Sequence, residues 1–293
     1  MGVYVMGGLN SEQIAFYKDQ GYLLVEDVIP VEDLQLLIAE LNETVDENAR
    51  QAQEKGELSE LFEDEPFERR LARIVESVAD PSDTSFSDTL FEGLHGKLKT
   101  EGMFAVQTHP AILDIVESLI GPEILAHPQF NIRPKLPNQD TSVVPWHQDL
   151  GYLQPDASET FMVNFWIPLV DATVENGCME VIAGSHKAPL INHVLGLGPG
   201  RNFKGIVDGA LPDGEQVQCP VPLGGVLLIQ HKTIHRSVPN YSDHIRWSMD
   251  IRYSDPRMPT GRDGVPGFIA RSKAQPASVA SSLGDWLRLF ESV

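Results

Sequence analysis

Trp146-His147-Gln148-Asp149, followed 86 positions after Asp149 by His235 and then by Arg246, brings together two imidazoles, one carboxylate and a fixed cation. Two histidines and a carboxylate on one face of a metal leave the opposite face open, the arrangement of non-haem Fe(II) centres that bind small molecules at the remaining positions. His147 and Asp149 stand at i and i+2, and on an extended strand that spacing points both side chains the same way. A His-x-Asp tripeptide alone is commonplace, so the weight falls on its companions. His235 follows the apolar run Val226–Ile229 and opens a polar stretch, as a ligand at the mouth of a barrel would. His231, four residues earlier, is the competing imidazole, either a partner behind the site or a histidine at a strand end.

Arg246 comes eleven residues after His235, and Ser248 shares its face of the next strand-like run. A guanidinium is a planar fork that matches a carboxylate and stays charged at every working pH; a neighbouring hydroxyl adds one donor. The pair suits the remote carboxylate of a keto-diacid whose other end chelates the metal. A surface salt bridge is the ordinary alternative, which the setting between Ile245 and Trp247 disfavours. His95, His109, His127, His186, His193 and His244 carry no paired ligand spacing and read as surface or structural residues.

These groups must be positioned by a scaffold, and the chain divides into two textures. Residues 1–120 read as mostly helical: Ser11 caps a helix that Gly21 ends, Tyr22–Val25 is a short strand, and Pro30 opens a second helix with Leu34, Leu37 and Leu41 on one face. Residues 54–100 are acidic and polar, with irregular helices and loops expected, and Pro110–Ile120 is amphipathic. From about 121 to 255 short apolar runs separated by Gly, Pro, Asn and Asp predict strands at Leu125–Arg133, Phe161–Leu169, Met179–Ile182, Gln216–Cys219, Val226–Ile229 and Arg246–Tyr253. Such strands bury their apolar faces only in a sandwich or rolled sheet. No linker or repeat interrupts 1–293, so a single domain is expected, with the glycine-rich segment 196–210 as a flexible lid.

A net charge of −20 and a pI near 4.7 argue against nucleic-acid and anionic-membrane partners, which need basic patches. Two cysteines, Cys178 and Cys219, make no disulfide framework and suit a reducing compartment. Neither a signal segment nor an apolar run of membrane-spanning length is read, so a cytoplasmic protein is expected.

Pro145-Trp146-His147-Gln148-Asp149, the run Asn176 to Lys187 with its Gly184-Ser185-His186-Lys187, and His231 through Asn240 to Arg246 together resemble the phytanoyl-CoA dioxygenase family, over about residues 10–272. The resemblance implies a mainly β fold with flanking helices, a double-stranded β-helix (jelly roll, cupin-like), holding Fe(II) by His147, Asp149 and His235. It implies that Arg246, with Ser248, binds 2-oxoglutarate, that Trp166, Gln129 and Asn164 face the same cavity, and that a family lysine corresponds to Lys97 or Lys99. Related halogenating enzymes replace the carboxylate ligand; Asp149 is present, which favours hydroxylation or another oxidation with O2, releasing succinate and CO2. Arg133, Lys135, Tyr152 and Arg252 are the expected contacts to a small-molecule substrate. The readings that compete are a jelly-roll binding protein without chemistry and a zinc hydrolase on the same His/Asp/His site, neither of which needs Arg246 with Ser248.

Overall fold

The computed structural model describes residues 2–3, 7–77, 90–139, 143–198 and 203–291. A short strand β1 (Gly2–Val3) precedes helix α1 (Ser11–Gln20). The cap of α1 is Asn10 and not Ser11: the Gln13 N–H donates to Asn10 Oδ1 (2.9 Å) and the Asn10 N–H to Gln13 Oε1 (3.0 Å). Gly21 ends the helix at φ 77°, and a Cβ there would lie 2.2 Å from His186 Nδ1, so only glycine fits.

Strand β2 (Tyr22–Glu26) and helices α2 (Val31–Glu54), α3 (Phe67–Ser77), α4 (Glu101–Gln107) and α5 (Pro110–Ile120) complete the helical half. α2 buries Leu34, Leu37, Leu41 and Val45 along one face, the predicted stripe. The segment expected as one strand over Leu125–Arg133 is two, β3 (Ile124–Ala126) and β4 (Asn131–Lys135). Pro128 has no N–H for a ladder, and the chain turns there with His127 Nε2 on Thr260 O (2.8 Å). Strands β5 (Val163–Pro168), β6 (Met179–Ile182), β7 (Val194–Leu197), β8 (Phe203–Gly205), β9 (Gln216–Cys219), β10 (Val226–Gln230), β11 (His235–Ser237), β12 (Arg246–Ser254) and β13 (Phe268–Arg271) follow, then helix α6 (Leu283–Arg288).

The larger sheet runs β1-β2-β10-β5-β12-β3-β13, with β4 also on β12; the smaller runs β11-β6-β9. His147 extends the smaller sheet through paired bonds to His235, N–H to carbonyl at 3.0 and 2.9 Å. The result is the double-stranded β-helix.

Side-chain alternation along the large sheet assigns its two faces. Val163, Phe165 and Ile167, Val226 and Leu228, and Trp247, Met249, Ile251 and Tyr253 join the core against the helices. Trp166, Leu227 and Ile229 instead pack with Met179 and Val181 of the smaller sheet and with Cys178 just before it. From 246 to 252 the even positions of β12 therefore hold Arg246, Ser248, Asp250 and Arg252 on the inner face, four polar residues that a sandwich interior tolerates only with partners or a function.

Segment 196–210 is not a free lid over its described part. β7 and β8 pair as a hairpin, and the Ile206 N–H donates to Trp146 O at 2.7 Å; residues 199–202 lie outside the described residues. Among the described residues no helix is long and apolar enough to cross a membrane.

Candidate metal centre

His147, Asp149 and His235 are all buried, and one ligand atom of each lies within 4.8 Å of the others. Both imidazoles are oriented alike, by the backbone carbonyl two residues earlier: His147 Nδ1 lies 2.9 Å from Pro145 O and His235 Nδ1 2.9 Å from Thr233 O. A carbonyl can only accept, so each Nδ1 carries the proton and each Nε2 keeps its lone pair for a metal. Burial pushes the His147 imidazole down to about 3, and His235 adds to the effect, so the ring is the neutral ligand form.

Asp149 does not lie on a strand, as its i+2 spacing predicted. It opens a short 3₁₀ turn, Asp149–Tyr152, and Gln148 alone is extended (φ −112°, ψ 133°), which suffices to keep His147 and Asp149 on one side. Gln148 is itself latched three ways, by its N–H to His193 Nε2 (2.9 Å), its amide to Lys232 O (2.9 Å) and its Oε1 to the Ile191 N–H (2.9 Å). Asp149 Oδ1 accepts from Arg252 Nη2 (2.8 Å) and Oδ2 from Asn164 Nδ2 (2.5 Å). Burial would raise this carboxyl, but Arg252 and the two imidazoles outweigh it and hold it well below the usual carboxylate range. An ionised carboxylate 3.7 Å from a neutral imidazole nitrogen, with a second imidazole beside them, is a donor set that fits a divalent cation of borderline softness.

A cavity of about 670 Å³ joins this centre to Arg246. Arg246 is 3% exposed, stacks its guanidinium 5.1 Å above the Trp166 ring, and donates through Nε to Gly177 O (3.2 Å) and through Nη1 to Ser248 Oγ. Among the described residues no carboxylate forms an ion pair with it. Burial, reinforced by the Arg133 charge, pushes it down to about 9, so the site is electrostatically set for an anion. Its cross-strand neighbour Lys135 is 2% exposed, also lines the cavity, and donates to Ser237 Oγ at 3.0 Å.

Of the residues singled out in the sequence, Trp166, Asn164, Arg133, Lys135 and Arg252 line the cavity; Ser248 reaches it only through Arg246. Gln129 does not line it. The break at Pro128 shifts the inner face to Asn131, which donates to Asp250 Oδ2 (2.8 Å) while Arg133 donates to Oδ1 (2.5 Å). Tyr152 also lies outside the lining: the 3₁₀ turn carries it sideways, its ring edge-on to His147 at 5.5 Å and its hydroxyl donating to Lys204 O. Lys97 and Lys99 do not line the cavity either; they lie over Phe130 and Phe290, and Lys135 is the lysine that faces in. His231 is buried with Nδ1 accepting from the Met162 N–H (3.3 Å) and does not reach the cavity. Asp250, unremarked in the sequence, was signalled by its even position on β12.

A model of the family described as phytanoyl-CoA dioxygenase matches residues 17–248. The chain is similar to the peroxisomal phytanoyl-CoA dioxygenase of Bos taurus, 25% identical over 251 residues that span 84% of this chain and 69% of that one. Among solved structures it is similar in fold to the non-haem monooxygenase ThoJ (21% identity, 96% and 94% of the two chains, TM-score 0.63). It is also similar in fold to EvdO2 of Micromonospora carbonacea var. aurantiaca in complex with 2-oxoglutarate (17% identity, 94% and 99%, TM-score 0.53).

Proposed function

The chain belongs to the phytanoyl-CoA dioxygenase family and is an Fe(II)- and 2-oxoglutarate-dependent oxygenase, and we propose that it hydroxylates, or otherwise oxidises, an unactivated C–H of a small organic substrate. The observation that carries this reading is the buried Arg246, without a carboxylate partner among the described residues, in the same cavity as the His147–Asp149–His235 cluster. A hydrolase has no need of such a cation, and a binding module has no need of the cluster.

In this reading His147, Asp149 and His235 hold the iron through Nε2, a carboxylate oxygen and Nε2. Bound there, Fe(II) with 2-oxoglutarate and O2 supplies the oxidant for the C–H bond, the cosubstrate leaving as succinate and CO2. Asn164 and Arg252 fix the plane of the Asp149 carboxylate, as partners behind a metal ligand do. Arg246 and Ser248 take the distal carboxylate of 2-oxoglutarate over Trp166, and Lys135 adds positive charge to that end. The remaining cavity has the size of a small-molecule site, with Asn131, Arg133 and Asp250 on a polar wall and Met179 and Phe203 on an apolar one. Its work is to orient one C–H and exclude water. The intact carboxylate ligand favours hydroxylation over halide transfer.

The proposal takes the chain as one catalytic domain, since β2 of the helical half pairs directly with β10 of the core. It takes the compartment as the cytoplasm, which two free buried cysteines support, although relatives named peroxisomal are among the similar proteins. Anaerobic titration of the Fe(II)-loaded protein with 2-oxoglutarate tests the class: a weak visible metal-to-ligand charge-transfer band is expected, then substrate-dependent succinate release. Bound iron without the band would return the zinc-hydrolase and binding-protein readings to the front.

A further inference from the structure

A second group of cations lies about Arg252, the one member that lines the cavity and touches Asp149, away from the Arg246 end. Arg252 stands six residues along β12 from Arg246, on the order of 20 Å at strand rise. It is 5% exposed and gives Nη2 to Asp149 Oδ1 (2.8 Å), yet its Nε and Nη1 are buried and make no hydrogen bond among the described residues. Arg262, half-buried in the segment after β12, likewise has a buried Nε without a partner, and no hydrogen bond or ion pair among the described residues uses its guanidinium. That segment is pinned: the Arg262 N–H donates to Thr260 Oγ1 (3.2 Å), and Gly261 O accepts from the Gln154 N–H (3.2 Å).

Lys97 completes the group. The bridge between Gly96 and Ile132 (3.0 and 2.7 Å) ties its backbone to β4, and His95 and Gly96 line the cavity beside it. Its exposed ammonium makes no ion pair among the described residues. His127 ties the Arg262 segment to Arg252, its N–H donating to Arg252 O (2.8 Å) and its Nε2 lying 2.8 Å from Thr260 O; in keeping with that, Arg262 is pushed down by burial and then by Arg252, and Lys97 by burial and then by Arg262 and Arg252. Among the described residues, two carboxylates come near Arg252. Asp149 belongs to the metal cluster, and Asp250, 3.8 Å from Arg252, is bound by Arg133 and Asn131 at 2.5 and 2.8 Å.

Gathering three cations at one rim is unfavourable by itself, and buried guanidinium nitrogens without acceptors are rare enough to need a cause. In a chain of net charge −20 the grouping does not follow from composition. An anion resting on the three would remove the repulsion and supply the acceptors.

We propose that the primary substrate carries an anionic group, a carboxylate or a phosphate, which seats on Arg252, Arg262 and Lys97 at the rim beside Asp149 and leaves the rest of the molecule in the cavity with its C–H toward the metal cluster. The proposal rests on the oxygenase reading above. It makes Arg262 and Lys97 specificity residues, with Arg252 serving both the metal ligand and the substrate.

The test uses the full chain loaded anaerobically with Fe(II) and saturated with 2-oxoglutarate, so that the Arg246 end is filled. Inorganic phosphate and acetate are then titrated separately by calorimetry. One of the two is expected to bind at one site per chain, the tighter one identifying phosphate or carboxylate as the group recognised. Arg262→Gln and Lys97→Gln should each weaken it about tenfold while changing 2-oxoglutarate affinity less than about twofold, as expected for removing one charge-assisted contact. Both positions reach the surface, so neither substitution opens a hole in the core. If neither anion binds the 2-oxoglutarate-saturated protein, or if both variants bind it as the wild type does, the proposal is wrong while the oxygenase reading stands. If 2-oxoglutarate itself does not bind, both fall.

Discussion

Replacing Arg246 with methionine isolates the proposed cosubstrate end of the cavity from the metal end. The guanidinium is 3% exposed, has no carboxylate partner among the described residues, and is held by Gly177 O at 3.2 Å and by Ser248 Oγ. A carboxylate arriving there forms charge-assisted bonds in a desolvated setting. Losing them costs about 3–4 kcal/mol, or roughly 100- to 1,000-fold in Kd. The same substitution removes a buried cation whose charge is uncompensated before the ligand arrives, so the ligand-free variant should unfold at an equal or higher temperature than the wild type. The assay is a pair of anaerobic titrations: Fe(II) into each protein, then 2-oxoglutarate into the Fe(II) form with the visible band as readout. Iron affinity should change less than about threefold, because roughly 100-fold selectivity between the two readouts is what the separation of Arg246 from the triad implies. Thermal scans add a second readout: at 100 times the wild-type Kd, 2-oxoglutarate should stabilise the wild type by about 2.7 kcal/mol and the variant by almost nothing. A variant that still binds 2-oxoglutarate within threefold of wild type, or that loses iron and cosubstrate together, refutes the assignment.

Three further outcomes follow from the same geometry. His235→Ala should abolish stoichiometric Fe(II) binding, whereas His231→Ala, outside the cavity, should retain it; equilibrium dialysis with metal analysis decides, and the reverse result would exchange their roles. Asn164→Ala removes the 2.5 Å bond that orients Asp149 and should weaken iron binding by about 10- to 100-fold with cosubstrate affinity of the residual iron form little changed; unaltered iron affinity would deny it that role. His127 is held neutral, pushed down to about 3 by burial and by the Arg252, Arg262 and Lys97 charges, against 6.5 for a free imidazole. Because the folded pKa lies below the unfolded one, its contribution is fully present above pH 6.5 and is lost as the pH falls toward 3, on the order of 5 kcal/mol at most. Urea denaturation of the metal-free protein between pH 7 and 4 should therefore be less steep in pH for His127→Gln than for wild type, by about one proton, and parallel curves would contradict this.

How much of this was legible depended on whether the deciding contact was local. β6 and β9 fall where the apolar runs predicted them, over Met179–Ile182 and Gln216–Cys219, because turn residues bracket each run. α4 passed unread for the opposite reason: it is short and carries Gly102, which propensity counts against a helix, yet a Cβ there would lie 2.6 Å from the backbone of Leu37, so the glycine is what lets α4 lie on α2. Gln129 in place of Asn131 is a miss of another kind, since it depends on how β4 registers on β12, where Asn131 faces Asp250; Lys135, expected as a substrate contact, lines the cavity but faces Arg246. Long-range pairing leaves no mark within either segment.

The alternation of β12, however, was present in the chain throughout. Once Trp247, Met249, Ile251 and Tyr253 are taken as the face toward the helices, Arg246, Ser248, Asp250 and Arg252 must share the other face of a strand too apolar to be at the surface. Four polar side chains forced into the interior of a sandwich need partners that the sandwich alone does not provide. Ser248 finds Arg246, Asp250 finds Arg133 and Asn131, and Arg252 finds Asp149, which among the described residues leaves the charge of Arg246 and two nitrogens of Arg252 unanswered. Those unanswered groups stand at opposite ends of one strand, and the chemistry of this protein requires two molecules to be held in one cavity. That correspondence is the physical reason to assign the Arg246 end to the cosubstrate and the Arg252 end to the substrate.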